Sequence, residues 1–254
     1  MKHIIFFSGG IGSYFTAKRV IEKYGSKDVW LLFTDTNYEN DDLYRFNMDA
    51  IRKLRCNYIH LNYGKDVWEC AFDENFLYNS RVANCTKKLK MVLSKKYIKE
   101  YFPNAEDVTL YLGIDWTEVH RTHAIIKNWK PYNVEFPMTE EPFLQKPEML
   151  EYLKEDGIET PLLYKQGFSH NNCNGFCFKA GKGHFKNLLD KNREFYLYNE
   201  NKEQELIKKL GKDVSILKDT TLRDLRIKIE SAPDQMSFDD LCDIGGCGCF
   251  LEEE

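Results

Sequence analysis

The stretch HIIFFSGGIGS, residues 3–13, decides the fold of this chain. His3–Phe7 is a short continuous apolar run, which is typical of a strand buried on both faces. Apolar residues recur at helical spacing over Ser13–Tyr24, and Gly25 closes that segment. Between strand and helix lies a turn that exposes backbone N–H groups at the positive end of the helix dipole. With three glycines and two serines in the six residues Ser8–Ser13, this turn predicts a cradle for a phosphate or sulfate group.

The alternation of strand and helix continues as far as about residue 135. Further buried strands are predicted at Val29–Asp35, Tyr58–Leu61 and Val108–Ile114. Helices are predicted at Asp41–Leu54, Thr86–Tyr101 and Thr117–Trp129. Strands separated by helices imply right-handed crossovers and an α/β fold with a doubly wound, mainly parallel sheet. Ligands of such sheets lie beyond the carboxyl ends of the strands.

A second region is predicted over residues 136–254. Prolines at positions 137, 142, 147 and 161 interrupt its first part, where one helix is predicted at Pro147–Asp156. A lysine-rich helical stretch follows at Lys179–Leu210. We therefore expect a nucleotide-binding α/β core over residues 1–135, with a helical, cysteine-containing C-terminal region packed on it.

The composition excludes a chain that spans a membrane. Of the 254 residues 30% are charged, the mean hydropathy is −0.55, and no apolar run approaches the ~18 residues of a spanning helix. The apolar start is too short for a signal peptide, so a cytoplasmic protein is expected. The chain has 36 basic and 40 acidic residues and thus a net charge of −4. This charge disfavours electrostatic binding to long nucleic acid, although a local basic patch is still compatible with it.

The eight cysteines are expected to be reduced thiols in that compartment. Five of them form two clusters: Cys173 with Cys177, and Cys242 with Cys247 and Cys249. Cys56 and Cys70 are interpreted as buried small hydrophobic residues. Cys85 directly precedes a predicted helix with lysines at positions 87, 88 and 90, and both the helix N-terminus and the lysines favour its thiolate. A thiolate suits either metal ligation or nucleophilic attack.

Four motifs resemble, in order, those of the PP-loop superfamily, which includes ATP pyrophosphatases and phosphoadenosine phosphosulfate (PAPS) reductases. Ser8-Gly9-Gly10-x-x-Ser13 resembles the PP-loop, and Asp35-Thr36-Asn37 is similar to the Asp-Thr-Gly of PAPS reductases. Gly113-x-x-x-x-Glu118-x-x-Arg121 resembles their Gly-x-x-x-x-Glu-x-x-Arg element. The segment from Pro161-Leu162-Leu163-Tyr164 through Gly167-Phe168 to Cys173 is similar to their substrate-side segment. The resemblance spans roughly residues 4–181 and implies the adenine nucleotide α-hydrolase-like fold.

The same resemblance implies a set of nucleotide-binding residues. Asp35 would accept hydrogen bonds from ribose hydroxyls or hold Mg²⁺, and the guanidinium of Arg121 would bind phosphate or sulfate. The other nucleotide contacts implied are Ser8, Gly9, Gly10, Gly12, Ser13, Gly113, Glu118, Lys88 and Lys90. On the residues alone, Glu118 and Arg121 also fit an exposed ion pair, and the lysines also fit a solvated helix face.

Cys85, Cys173 and Cys177 fall where the family places the ligands of an iron–sulfur cluster. The resemblance therefore implies a [4Fe–4S] cofactor. The Cys-x-x-x-Cys spacing of the last two differs from the Cys-x-x-Cys of zinc knuckles and of cluster-containing reductases, so zinc and free thiols stay open. The fourth ligand would be Cys247 or Cys249, or the fourth iron would stay open.

Cys247 and Cys249 lie among glycines near the end of the sequence. PAPS reductases without a cluster place a nucleophilic cysteine on a mobile C-terminal segment, so the resemblance implies a catalytic role for these two thiols. The Glu-Cys-Gly-Leu-His signature of those reductases is absent. An accessory thiol pair or a metal clip is the alternative.

Ile11-Gly12 stands where ATP-cleaving loops carry Lys-Asp, which favours a pre-activated sulfonucleotide over ATP. We therefore predict a PAPS-reductase-like oxidoreductase whose partner is a thiol reductant such as thioredoxin. One alternative is an ATP- and Mg²⁺-dependent sulfurtransferase that thiolates DNA or tRNA with a sulfur donor, its basic helix Lys87–Lys99 facing the nucleic acid. Another is a non-catalytic adenine-nucleotide-binding protein. A homodimer is compatible with each.

Overall fold

The computed structural model describes residues 1–79 and 81–231. Within that part of the chain, one sheet is formed by the parallel strands β1 (Lys2–Phe6), β2 (Val29–Asp35), β3 (Asn57–Asn62), β4 (Val108–Tyr111) and β5 (Asn133–Glu135). Their spatial order is β3-β2-β1-β4-β5. The order reverses at β1, so the switch point lies between β1 and β4, where such sheets bind their ligands.

The helices that connect the strands cover both faces of this sheet, which confirms the predicted α/β fold class. They are α1 (Ile11–Tyr24), α2 (Asp41–Leu54), α3 (Val67–Glu74), α4 (Leu93–Tyr101) and α5 (Thr122–Trp129). Strand β2 and helix α2 have the predicted bounds. The predicted strand Val108–Ile114 is too long, because regular strand structure ends at Tyr111 and the next residues, 112–114, line a cavity.

Two predicted helices begin irregularly. The segment predicted as one helix over Thr86–Tyr101 starts as a π-helix, Thr86–Val92, and becomes α-helical only in α4. Residues 89–91 are all buried there, although three consecutive residues of an α-helix do not lie on one face. Likewise Trp116–Arg121 is a 3₁₀ helix before α5, and Glu118 inside it has non-helical dihedral angles. Irregular helical turns of this kind are frequent at functional sites.

The C-terminal region is helical as predicted. It contains α6 (Lys146–Glu155), α7 (Leu162–Lys165), α8 (Lys182–Lys191), α9 (Arg193–Leu210) and α10 (Leu222–Ser231). The predicted helical stretch Lys179–Leu210 is divided at Asn192, whose side chain accepts a hydrogen bond from the backbone N–H of Phe195 and so caps α9. None of the described helices is both long and apolar enough to cross a membrane.

The C-terminal helices pack on the sheet domain through an aromatic core around α3. The ring of Trp68 on α3 packs against the rings of Phe176 and Phe178, at centroid distances of 5.7 and 4.8 Å. The buried side chain of Asn199 on α9 accepts hydrogen bonds from the Trp68 indole N–H (2.8 Å) and the Tyr38 hydroxyl (2.7 Å). This core fixes the loop that carries Cys173 and Cys177 against the end of β2.

Candidate functional site

The glycine-rich loop between β1 and α1 is closely packed on two sides. Gly9 has a φ of +76°, and a Cβ on it would lie 2.8 Å from Cγ of Leu43 on α2. On the other side a Cβ on Gly113, just beyond β4, would lie 2.9 Å from the backbone nitrogen of Ser13. Only glycine allows the backbone to come this close at both positions. The loop therefore sits in the switch-point crevice between β1 and β4.

Hydrogen bonds from the C-terminal region hold this loop. The side-chain amide of Asn171 donates to the carbonyl of Gly9 (2.8 Å), and the backbone N–H of Ile11 donates to the hydroxyl of Tyr164 (3.1 Å). The loop also closes on itself, since the Ser13 hydroxyl donates to the carbonyl of Gly10 at 2.7 Å. The sequence motifs placed Tyr164 in the predicted substrate-side segment but gave Asn171 no role of its own.

A cavity of about 140 Å³ opens in front of the loop, and we call it the loop cavity. It is lined by Ser8, Gly10, Gly12, Ser13, Gly113, Glu118, Arg121, Tyr164, His170, Asn171 and Asn172, with Phe6, Leu112 and Ile114. Of the predicted nucleotide contacts, seven therefore surround one space. The buried side-chain oxygen of Asn171 has no hydrogen-bond partner within the described residues. Such an atom in a cavity wall is a place for a ligand or an ordered water.

Arg121 provides the positive charge of this wall. Its side chain is only 10% exposed and donates to the carboxylate of Glu118, whose own side chain is 38% exposed, so the cation is buried while its partner reaches solvent. His170 is neutral at physiological pH: desolvation by the surrounding protein, with the positive charges of Lys146 and Arg121, lowers its pKa to about 4. A neutral imidazole in this wall can donate or accept a hydrogen bond.

Cys85, Cys173 and Cys177 line a second cavity, of about 40 Å³, which we call the thiol cavity. Lys90, which is buried, also lines this cavity. Two residues, His170 and Asn172, line both cavities. The fold thus brings the three predicted ligand cysteines next to the predicted anion loop.

The backbone at the thiol cavity is held in an unusual conformation. Cys173 and Asn174 have φ angles of +52° and +50°, which non-glycine residues rarely adopt. The backbone N–H of Cys173 donates to the carboxylate of Glu39, which also accepts from the hydroxyl of Thr36 at 2.9 Å. Burial raises the pKa of Glu39, and the nearby Lys90 opposes that rise. Glu39 thus joins the end of β2 to the cysteine loop, a role that its sequence position did not reveal.

Asp35 lies at the carboxyl end of β2 as predicted, but outside both cavity walls. Its carboxylate accepts from the backbone N–H of Asn37 (2.8 Å) and the hydroxyl of Tyr44 (3.0 Å). The Nε2 atom of His60 lies 2.9 Å from its second oxygen. These hydrogen bonds join Asp35 to α2 and β3, and its contact with ribose or Mg²⁺ stays a prediction.

The two lysines predicted to contact nucleotide point to different places. The ammonium of Lys88 lies 2.8 Å from Glu74 on α3, an ion pair that raises the pKa of Lys88. Lys88 lies outside both cavity walls, and its contact with a nucleotide stays a prediction. Lys90 faces the thiol cavity and not the loop cavity.

The donor set of the thiol cavity fits an iron–sulfur cluster in its chemistry, since thiolates are the usual ligands of such clusters. Within residues 1–79 and 81–231, however, no three His, Cys, Asp or Glu side chains are arranged around a single ion position.

Cys56 and Cys70 lie elsewhere. Burial raises the pKa of both thiols to about 11; Cys70 is buried as interpreted, whereas Cys56 is partly exposed. Cys242 and the predicted catalytic Cys247 and Cys249 fall outside the described residues.

Comparison with known proteins finds likeness in the fold alone. No family model and no curated protein matches the chain. Similar solved structures include the PAPS reductase of Candida auris in its phosphate complex, with 14% identity over 68% of this chain and 81% of that chain and a TM-score of 0.49. The NH₃-dependent NAD synthetase of Campylobacter jejuni with a nitrate ion shares 15% identity over 84% of each chain, with a TM-score of 0.42. The U34-tRNA thiolase NcsA of Methanococcus maripaludis with its [4Fe–4S] cluster shares 13% over 100% of this chain and 84% of that chain, also with a TM-score of 0.42.

Proposed function

We propose that this protein is an enzyme of PAPS-reductase type, which binds the anionic end of an adenylyl sulfonucleotide in the loop cavity and acts on its sulfur with cysteine thiols. One observation carries the proposal: the loop cavity and the thiol cavity share His170 and Asn172. A group held by the loop therefore lies beside three thiols. An ordinary nucleotide-binding module has no need of that arrangement.

The charges of the loop cavity support a sulfonucleotide over ATP. Cleavage of ATP between its α- and β-phosphates leaves a pyrophosphate whose developing charge must be stabilised by cations. The loop carries Ile11-Gly12 and no lysine, and Arg121 is paired with Glu118. A sulfonucleotide is already activated, because its sulfate is joined to phosphate in a mixed anhydride, and needs less positive charge for its reaction.

The proposed reaction uses two thiols in sequence. The thiolate of Cys247 or Cys249 attacks the sulfur atom of the bound sulfonucleotide, the bond between sulfur and the phosphate oxygen breaks, and adenosine 3′,5′-bisphosphate leaves. The product on the protein is an S-sulfocysteine. A second thiolate attacks the cysteine sulfur of this adduct, so that sulfite leaves and a disulfide forms. The two thiols supply the two electrons, and an external dithiol restores them.

A cluster belongs to the proposal as a cofactor of the thiol cavity. Cys85, Cys173 and Cys177 would hold it, and it would supply a site for electrons or for a labile sulfide. Independently of a cluster, Arg121 and the loop backbone bind the anion, and Glu39 fixes the backbone of Cys173. The gathering of three thiols in one cavity also favours the second candidate function, ATP-dependent transfer of sulfur to tRNA or DNA.

The experiment that tests the proposal compares two reactions of the anaerobically purified full-length chain. With PAPS and dithiothreitol we expect sulfite and adenosine 3′,5′-bisphosphate in equal amounts. Cys247→Ser and Cys249→Ser together should abolish sulfite release, whereas Cys56→Ser should leave it unchanged. With ATP, in the presence or absence of tRNA, no pyrophosphate is expected. Pyrophosphate from ATP without sulfite from PAPS would transfer the assignment to the sulfurtransferase. Tight nucleotide binding with neither product would leave a non-catalytic binding protein.

A further inference from the structure

His170 lies where the loop cavity and the thiol cavity meet, since it lines both of them. It is an exposed residue, so a molecule in these cavities can reach it. Among residues 1–79 and 81–231, no group forms a hydrogen bond with its ring. An imidazole carries at least one N–H group in every protonation state that proteins adopt. This donor is therefore available to a ligand.

The backbone on both sides of His170 is anchored. The ammonium of Lys146, the first residue of α6, donates a hydrogen bond to the carbonyl of Ser169. The side-chain amide of Asn171 donates to the carbonyl of Gly9 at 2.8 Å. His170 thus lies between one residue that is tied to α6 and one that is tied to the glycine-rich loop. A donor that is held in place before the ligand arrives loses little freedom on binding.

The charges of the loop cavity leave room for such a donor. The ion pair of Arg121 and Glu118 contributes one charge of each sign to the wall. The His170 ring is neutral, because desolvation and the positive charges of Lys146 and Arg121 lower its pKa. A neutral imidazole has one donor and one acceptor nitrogen, whereas the carboxylate of Glu118 only accepts. The ring N–H of His170 is thus suited to an oxygen atom of a bound anion.

We propose that His170 is a further anion-binding residue: its ring N–H donates a hydrogen bond to an oxygen atom of a tetrahedral dianion in the loop cavity, on the side that adjoins the thiol cavity. The glycine-rich loop and His170 then hold the dianion from two sides. An oxygen atom held by His170 also fixes how the sulfur atom of a sulfonucleotide is turned towards the thiols. The inference rests on the proposed function in one respect, namely that the loop cavity binds an anion.

Calorimetric titration of the full-length protein with sulfate tests this inference, because sulfate stays a dianion near neutral pH. His170→Phe keeps a planar ring but removes the donor, and it should weaken sulfate binding about tenfold, the loss typical of one hydrogen bond to a charged group. His170→Gln keeps an N–H donor and should retain most of the affinity. The matched control is His123→Phe, because His123 on α5 is exposed and lies outside both cavity walls. That variant should bind sulfate like the unaltered protein.

Nitrogen NMR of the protein labelled in its histidines follows the ring without any substitution. At saturating sulfate, the ring N–H signal of one histidine should shift, and His170→Gln should lack this signal. An unmoved His170 signal would overturn the inference even if the variants do not fold. Equal or tighter sulfate binding by His170→Phe, or an equal loss in His170→Gln, would also overturn it, while the proposed function would stand. Absence of sulfate binding to the unaltered protein would overturn both.

Discussion

Replacing Arg121 by alanine is expected to weaken the binding of adenosine 3′,5′-bisphosphate by about ten- to a hundredfold, the range for a lost charged hydrogen bond of roughly 1.5–3 kcal/mol. The guanidinium is nine-tenths buried in the wall of the loop cavity, so little water screens it. The substitution also leaves the carboxylate of Glu118 facing the anion without its partner. Both effects act in the same direction.

Isothermal titration of Arg121→Ala against the unaltered protein measures this loss. Arg52→Ala is a matched control, because Arg52 on α2 is 73% exposed and pairs only with surface Asp49 among the described carboxylates. Glu118→Gln should strengthen binding, since it removes a negative charge from the same wall. Unchanged affinity in Arg121→Ala would show that the anion binds elsewhere.

Replacing Gly113 by alanine is expected to lower the free energy of unfolding by roughly 1–3 kcal/mol and to abolish nucleotide binding. The new Cβ would meet the nitrogen of Ser13 at 2.9 Å and the carbonyl carbon of Gly12 at 3.0 Å. Both are backbone atoms, which cannot rotate away as a flexible side chain can. The loop must therefore move, and its N–H groups no longer converge on the cavity.

Chemical denaturation followed by nucleotide titration measures both parts of this expectation. Gly25→Ala provides the comparison, because Gly25 has a φ of +77° and no heavy atom within 4 Å of its added Cβ. That variant should lose roughly 1–3 kcal/mol from backbone strain alone and should bind nucleotide normally. If Gly113→Ala also binds nucleotide normally, the contact between β4 and the loop does not shape the site.

The regular part of the fold could be predicted because its signals are local. The apolar run of β1 and the helical spacing of α1 and α2 lie within single segments. The short elements α3 and β5 gave no such signal. Strand β5 is three residues long and is defined by its pairing with β4, so its existence depends on the sheet already being present.

Residue type alone indicated only the glycine-rich loop of the site. Arg121 and the three cysteines were assigned through the family resemblance, and the structure gathers them with the loop around two adjoining cavities. The sequence did not indicate that Lys88 and Lys90 have different surroundings. On the irregular π-helix, Lys88 faces Glu74 and Lys90 faces the thiol cavity. Asp35 could not be recognised as satisfied, because its partners Tyr44 and His60 come from other elements.

The central claim is that an anion held by the loop lies beside the thiols, and alkylation of the cysteines tests it most directly. The chelator-treated full-length protein is treated anaerobically with iodoacetamide, with and without saturating adenosine 3′,5′-bisphosphate, and each cysteine is followed by mass spectrometry. The nucleotide is predicted to slow the alkylation of Cys173 and Cys177, which share the cavity wall with His170 and Asn172. Cys56, which directly precedes β3 at the amino ends of the parallel strands, should react at the same rate in both samples. Equal rates at Cys173 and Cys177 with bound nucleotide would contradict the account.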